Sequence, residues 1–566
     1  MKKWSKGLDA LTKWTVSILF TVIILFLTGI SIFGNCYMDN NEFTYFVSDR
    51  AWMHMLSITV VLLIGLSYRK FLKGKLFERS KKIIWMVVMG VYLIIVTSIA
   101  LYLSLEPRAD QKHVVETATE MLHGRYTAFA KGGYMDLYPN QTGIVYIFYW
   151  LFRIFPFGYK VVILLNVIAL LVIFLGMTGI GRVLLKEGQE RYATGIMTML
   201  FFPLVCYVTF IYGNLMGMAL STLGLYATLQ YLKTRKISWI SCAVVASAFA
   251  VLIKENYLIP VIGIVIFIVL DFFRTKDKKS IGFLVGLLFL TIGVTSVAQL
   301  HTEHITGYKK SSGIPSLAWV EMGMQEGYTG YGWYNEYNKK VYKENDCDTK
   351  KAKRQVKKDL VVTVKTFASN PAYALKFFYQ KVASEWNNPT FEGVWINNTY
   401  RRELEKVEVK PVSKFFTTMI NEPGRKGIKE YCNLFQTLTL VGVCMWLLLG
   451  RKEVKINQLL PITIFVGGFI FHFFWEAKGQ YVMSYFVLLF PYAVRGYQHL
   501  LKQLEEFCNK KEETWSVRCK KNRGVIVLMA AFVIILLVSV AGQRYMDKVV
   551  GFQNAKYEEF LREGNK

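Results

Sequence analysis

Asp110 is the residue in this 566-residue chain whose setting most suggests chemistry. It follows a long apolar run, with Pro107 between them as a helix stop. Arg108, Lys112 and His113 are its neighbours. A carboxylate at the start of a helix is favoured by capping and by the helix dipole. Asp110 therefore reads either as an N-cap or as a general base at a membrane surface, with the nearby cations holding an anion. Val114, Ala118 and Leu122 recur at i, i+4 and i+8, so the helix it opens has one apolar face.

Other positions share this character. Tyr138-Pro139-Asn140-Gln141 fits a helix start, with Tyr138 at headgroup level and Gln141 or Asn140 either capping the helix or hydrogen-bonding a sugar. Lys254-Glu255-Asn256 and Trp475-Glu476-Ala477-Lys478-Gly479-Gln480-Tyr481 each interrupt apolar runs. Charges there are costly unless they face a cavity or each other. Snorkelling to the headgroups is the simpler reading, and a shared polar cavity is the sharper one. In such a cavity a lysine suits a phosphate as a compact charge. His301 and His304 flank Glu303 without a third ligand or an HExxH pattern, so no metal site is assigned. No cofactor is expected, although a divalent metal is compatible with these residues. The eight cysteines form no CxxC pair, and phosphate-loop, dinucleotide-binding and serine-nucleophile motifs are absent.

The elements that must position these residues are membrane helices. The chain is 53% hydrophobic and only 19% charged. Its apolar residues come in blocks long enough to cross about 30 Å of hydrocarbon. The formal charge of +28 is spread over short loops between these blocks, a pattern of headgroup contact and orientation rather than nucleic-acid binding. Thirteen spans are predicted, near 14–34, 53–69, 83–104, 160–183, 192–211, 214–232, 238–254, 257–274, 280–299, 433–450, 457–474, 480–498 and 524–543. The basic N-terminus precedes a retained first span rather than a cleaved signal. With the N-terminus cytoplasmic, the cytoplasmic loops hold 32 Lys and Arg against 11 acidic residues, which fixes the orientation and leaves the C-terminus extracytoplasmic. Residues 144–157 are too short to span and carry Arg153, so they read as an interfacial helix. The fold class is an all-α polytopic membrane protein with interfacial helices and a small extracytoplasmic domain. Its parts are additional N-terminal helices (1–82), a core (83–299) with a first outer loop (105–159), the extracytoplasmic domain (300–432), C-terminal helices (433–543) and an outer tail (544–566). In the outer domain, 349–367 and 370–386 read as helices, and 327–338 as an aromatic loop that either stacks on a sugar or plugs the lid.

The order of features resembles the GT-C glycosyltransferases. A span leads to an outer loop opening with an acid, then ATEMLHGRY (118–126), the YPNQ turn and an interfacial helix. The likeness is to the glycosyltransferase family 39 type, which includes protein O-mannosyltransferases and the lipid A aminoarabinose transferase. It runs over about 83–500. Gly313-Ile314-Pro315, Trp319, Met322-Gly323, Lys381, Trp386, Asn388, Pro389, Glu476, Lys478 and Tyr481 also belong to it. The resemblance implies a GT-C-like bundle in a bacterial plasma membrane, a polyprenyl-phosphate sugar as donor, and an acceptor in the cell envelope. It assigns Asp110 as the catalytic acid residue. Gln111 stands where relatives carry a second acid, and Gln480 where they often carry Arg.

The reaction expected on this basis is inverting, mannosyltransferase-like hexosyl transfer. Asp110 serves as general base, and Arg108, Lys254 and Lys478 hold the donor phosphate. His113, Tyr138, Gln141, Glu255, Glu476 and Tyr481 contact substrate. A transporter or flippase of a polyprenyl-linked glycan is the alternative, but it would show repeated halves and broken spans at mid-membrane. A glycan-binding scaffold is the third reading.

Overall fold

The computed structural model describes residues 2–38, 42–71, 75–103, 107, 109–156, 158–185, 192–398, 422–450, 455–509, 516–517 and 522–563. Its long helices are α1 (Lys2–Phe33), α2 (Ala51–Phe71), α3 (Lys75–Leu103), α4 (Asp110–Leu122), α5 (Thr142–Ile154), α6 (Lys160–Leu184), α7 (Asn214–Thr234), α8 (Ile237–Ile253), α9 (Leu258–Thr275) and α10 (Lys278–Thr306). Next come α11 (Thr349–Ser369), α12 (Pro371–Trp386), α13 (Glu422–Leu449), α14 (Leu460–Phe474), α15 (Gly479–Val487), α16 (Phe490–Asn509) and α17 (Arg523–Glu563). A chain in hydrocarbon must satisfy its backbone internally, which is why apolar runs of this length form helices.

Among the described residues, eight segments are long and apolar enough to cross a membrane: Asp9–Phe33, Ala51–Lys70, Lys82–Leu101, Lys160–Leu184, Glu255–Thr275, Lys278–Thr306, Gly424–Leu449 and Ile456–Phe474. A ninth is bent by 50° between Gly524–Ile535 and Leu537–Lys548. The other four expected spans differ for identifiable reasons. The run at 192–211 is only a helix of eight residues, Ala193–Leu200, because Pro203 cannot continue it. The run at 480–498 divides into α15 and α16 just before Pro491. The run at 238–254 ends at Ile253, 17 residues after it starts, and leaves Lys254 beyond it. α7 has the length but carries Asn214, Ser221, Thr222, Thr228 and Gln230. It packs between α6 and α8, where helices rather than lipid surround it.

The fold is not purely helical. The outer loop expected after the first span is an antiparallel hairpin, β1 (Gly34–Met38) against β2 (Thr44–Ser48), with Cys36 opposite Phe46. Asp49 closes it from below, accepting from Asn35 Nδ2 at 2.9 Å and Asn433 Nδ2 at 2.6 Å, with His54 Nε2 at 2.6 Å. Nor is the N-terminal part an appendage. Phe20 of α1 is fully buried against Phe465, Trp446 and Tyr492. The tail expected from 544 onward starts inside α17, and Met546 packs against Ile30, Cys36 and Phe46.

α5, in the segment expected to be an interfacial helix, has 13 residues, fewer than a crossing needs, and Ile144, Val145 and Phe148 are buried against the bundle. The 300–398 segment folds over it. There Leu137, Ile314, Ala318, Val341, Tyr342, Ala352 and Val356 share a small core of their own, so the YPNQ turn is tied to that segment.

Candidate functional site

Ala109 stands at φ 50°, an uncommon conformation for a residue with a Cβ, and turns the chain sharply into α4. Asp110 is then the first helical residue and makes no capping hydrogen bond. Its carboxylate is exposed and lines a cavity of about 830 Å³ at one end of the bundle. The capping alternative is therefore not how this side chain is used. Gln111, the next residue, is buried, and its Oε1 accepts from the Ile211 N–H at 2.7 Å. A neutral amide suits that position, where a second carboxylate would be a buried charge.

The same cavity collects residues from distant parts of the chain: His113, Tyr138, Gln141, Glu255, Glu476, Lys478 and Tyr481. Gln141 Nε2 donates to Tyr212 Oη at 2.8 Å, and Tyr212 Oη lies 3.5 Å from Asp110 Oδ2. The YPNQ turn is thus linked to the carboxylate through one tyrosine. Tyr138 sits between Tyr134 and Trp319, with centroids 5.2 Å and 6.3 Å away. His113 stacks on Tyr134 at 4.9 Å and lies near the solvent. Glu255 is exposed at the rim. Lys112 points elsewhere and pairs with Glu116 at 3.5 Å. Arg108 lies outside the described residues.

Lys254 occupies the extended break after α8. Its Nζ donates to Asn214 Oδ1 at 2.6 Å and lies 4.4 Å from the centroid of Tyr212. Burial pulls this ammonium down to about 7, against the attraction of Asp110 and Glu392. Lys478 is held by Glu42 Oε2 at 3.3 Å. Burial opposes its charge, but Glu42, Glu476, Glu392 and Asp110 together keep its pKa above the ordinary lysine range. Glu476 is buried, and burial pushes its carboxyl up to about 7 while Lys478 pulls the other way. Tyr481 Oη lies 3.5 Å from Glu476 Oε2. The arrangement is a polar chamber lined by Lys310, Lys339 and Lys478, by the exposed carboxylates of Asp110 and Glu255, and by the Glu476 carboxyl that titrates near neutrality, with Lys254 packed behind the ring of Tyr212.

Sequence reasoning missed several members. Glu42 comes from the turn side of the hairpin. Its signal was an acid next to Thr44–Ser48, a short run rich in aromatic and β-branched residues of the kind that form strands. Tyr212 and Asn214 flank Gly213, which caps the start of α7 at φ 75°. Glu392 is buried beside the start of α15, and burial pushes its carboxyl up to about 7 against Lys478. Lys381 is not in the chamber. Its buried Nζ donates to the carbonyl of Trp475 at 2.7 Å and to that of Gly323, and so fixes the strand carrying Glu476. The plane of Trp475 stacks on Trp319 at 5.8 Å. In the aromatic loop, Trp333 is a plug, its Nε1 donating to Ser384 Oγ at 2.7 Å, while Tyr334 lines the cavity.

The flank of the chamber is apolar. Leu258, Ile262 and Phe471 line it, yet 46%, 51% and 37% of their surface is exposed on the sides of α9 and α14. His301 packs on Trp150 at 5.7 Å, and no group of three metal-ligating side chains occurs among the described residues. A polar chamber with an apolar flank fits an amphiphile whose charged group sits inside and whose chain runs out between α9 and α14. A family model described as "conserved hypothetical integral membrane protein" matches residues 8–497. No curated protein matches the chain.

Proposed function

The chain belongs to that family of integral membrane proteins, and we propose that it is a glycosyltransferase using a polyprenyl-phosphate sugar on the extracytoplasmic face. The observation that carries this reading is the convergence of Asp110 and Lys478 on one chamber with an apolar flank, with Lys254 behind the Tyr212 ring that lines it. The polyprenyl chain lies along the flank of Leu258, Ile262 and Phe471, and the phosphate sits near Lys254 and Lys478.

The reaction is a direct displacement. Asp110 takes the proton from an acceptor hydroxyl as that oxygen bonds to the anomeric carbon. The bond from this carbon to the phosphate oxygen breaks, and its electron pair leaves on the phosphate. The ammonium groups stabilise that charge where it develops. A phosphate leaves without protonation, so one carboxylate suffices and the anomeric configuration inverts. The acceptor is a cell-envelope glycan, lipid or protein, and the 300–398 segment shapes its site.

A transporter would need a polar route between the two membrane faces. Between the ends of α9 and α14 the packing is Ile264, Phe267, Ile268, Ile464 and Phe465, all buried and apolar. That packing supports an enzyme.

The test is purified protein in nanodiscs with a polyprenyl-phosphate hexose and candidate acceptors, beside Asp110→Asn. The expected outcome is loss of transfer by at least about a hundredfold in the variant, the usual worth of a general base. Donor binding and melting temperature stay unchanged. Full transfer by Asp110→Asn overturns the mechanism.

A further inference from the structure

A second cavity of about 540 Å³ lies at the opposite end of the bundle. α7 runs from Asn214, whose side chain bonds Lys254 behind the Tyr212 wall of the first chamber, to Lys233, which lines the second cavity. Its 21 residues put the two about 30 Å apart, roughly the thickness of a bilayer core. α9 and α14 run between the same two places.

This second cavity is lined by Arg182, Lys233, Arg274, Lys455 and Arg495, and its described lining contains no acidic residue. Arg274 and Arg182 are positioned by neighbours. Arg274 donates to Asn457 Oδ1 and lies 3.7 Å from Asp9 Oδ1. The Arg182 guanidinium is over the Tyr192 ring at 5.1 Å. Leu184, Leu229, Leu232 and Trp446 form the apolar walls between them. Like charges gathered around one space repel each other less when an anion joins them, as Asp9 does beside Arg274. Guanidinium groups bind phosphate oxygens in pairs, and ammonium groups add point charges. The apolar walls and the position at a membrane surface add a place for the first carbons of a lipid chain.

We propose that this cavity is a binding site for a phosphate-bearing anion, and that the headgroup of an anionic membrane lipid is its occupant. The site is separate from the Asp110 chamber, and its occupancy does not depend on the reaction catalysed there.

The experiment compares the full chain in phosphatidylcholine nanodiscs, in nanodiscs containing phosphatidylglycerol, and in phosphatidylcholine nanodiscs with inorganic phosphate. Melting temperature and lipid retained in native mass spectrometry are read for the wild type and for Lys233→Gln/Lys455→Gln. Both lysines are exposed, so the variant folds with its packing intact. The expected result is a rise in melting temperature with phosphatidylglycerol, retained lipid in the wild type, and roughly tenfold weaker retention in the variant. The variant's melting temperature in phosphatidylcholine stays at the wild-type value. A rise with inorganic phosphate alone, lost in the variant, supports the phosphate site and removes the lipid tail from it. No response to either anion, or an equal response in the variant, overturns the proposal.

Discussion

Glu476 sits at the point where burial and charge compete most closely. It is 3% exposed, and burial raises its carboxyl from the usual 4.5 to about 7, with Lys478 opposing and Asp110 and Glu42 reinforcing. A group whose pKa is higher when folded stabilises the fold fully below its unfolded pKa. That contribution is lost as pH rises through the folded value. The window for Glu476 therefore runs from about pH 4.5 to about pH 7. Glu476→Gln keeps the shape and removes the charge. The melting temperature of the wild type should fall between pH 5 and pH 8 relative to that of Glu476→Gln, by the equivalent of up to about 3 kcal/mol. Equal pH slopes for the two proteins would remove Glu476 from this role. Lys254 offers a second residue-scale measurement. Its ammonium lies near 7, so donor binding should weaken as pH is raised from 6 to 8.5. Lys254→Arg, whose charge persists above pH 12, should flatten that profile. A profile as steep as the wild type's would show that another group carries the phosphate. Asp110, Lys254, Glu476 and Lys478 were legible in the sequence because charge beside an apolar run is rare. Glu42 and Tyr212 were not, because an acid in a polar loop and a tyrosine in an apolar one are ordinary residues until the fold brings them together.

Among the elements, α5 and α8 control how far the YPNQ turn stands from Lys254. Gly143 is on the contact face of α5, and a Cβ there would run into the backbone carbonyl of Leu252 in α8. A backbone group cannot swing aside as a side chain can, so the helices must part. Gly143→Ala is expected to cost about 1–3 kcal/mol in stability. It should also weaken donor binding, because Gln141 precedes Gly143 on one element and Lys254 follows Leu252 on the other. Thermal melting and a donor-binding titration check this together, and a variant with wild-type values in both would show that the crossing has slack. Hydropathy marked most of the long helices correctly, since a lipid-facing surface must be apolar. It overran at Pro203 and Pro491, where an apolar window continues across a residue that ends the helix. α7 shows the opposite effect. Its polar residues are tolerated because other helices surround it, and composition alone does not say what surrounds a helix. The hairpin was missed because the segment was read for charge, although Thr44–Ser48 is rich in the aromatic and β-branched residues that strands favour.

For the whole molecule the decisive quantity is which membrane face carries the Asp110 chamber. The short loops place Lys and Arg at the end that holds Arg182, Lys233, Arg274 and Arg495, and the proposed orientation makes that end cytoplasmic. In that proposed orientation the chamber faces outward, where polyprenyl-linked sugars are the available activated donors and nucleotide sugars are not. Cys508, exposed near the end of α16, belongs to the basic end. Lys350, exposed in the first turn of α11, belongs to the chamber end. A membrane-impermeant maleimide applied to intact cells should label Lys350→Cys in a Cys508→Ser background. The same reagent should reach native Cys508 only after permeabilisation. The outcome bears on more than topology. Labelling of Cys508 in intact cells would put the chamber in the cytoplasm, and the choice of a polyprenyl-phosphate donor would lose its main physical support. The chamber's charges and its apolar flank would still call for an amphiphile, but one drawn from the inner leaflet. The basic cavity would then face outward, away from the leaflet in which anionic lipids concentrate. One labelling experiment thus tests the sidedness on which both proposed sites depend, and it does so without any assumption about the sugar or the acceptor.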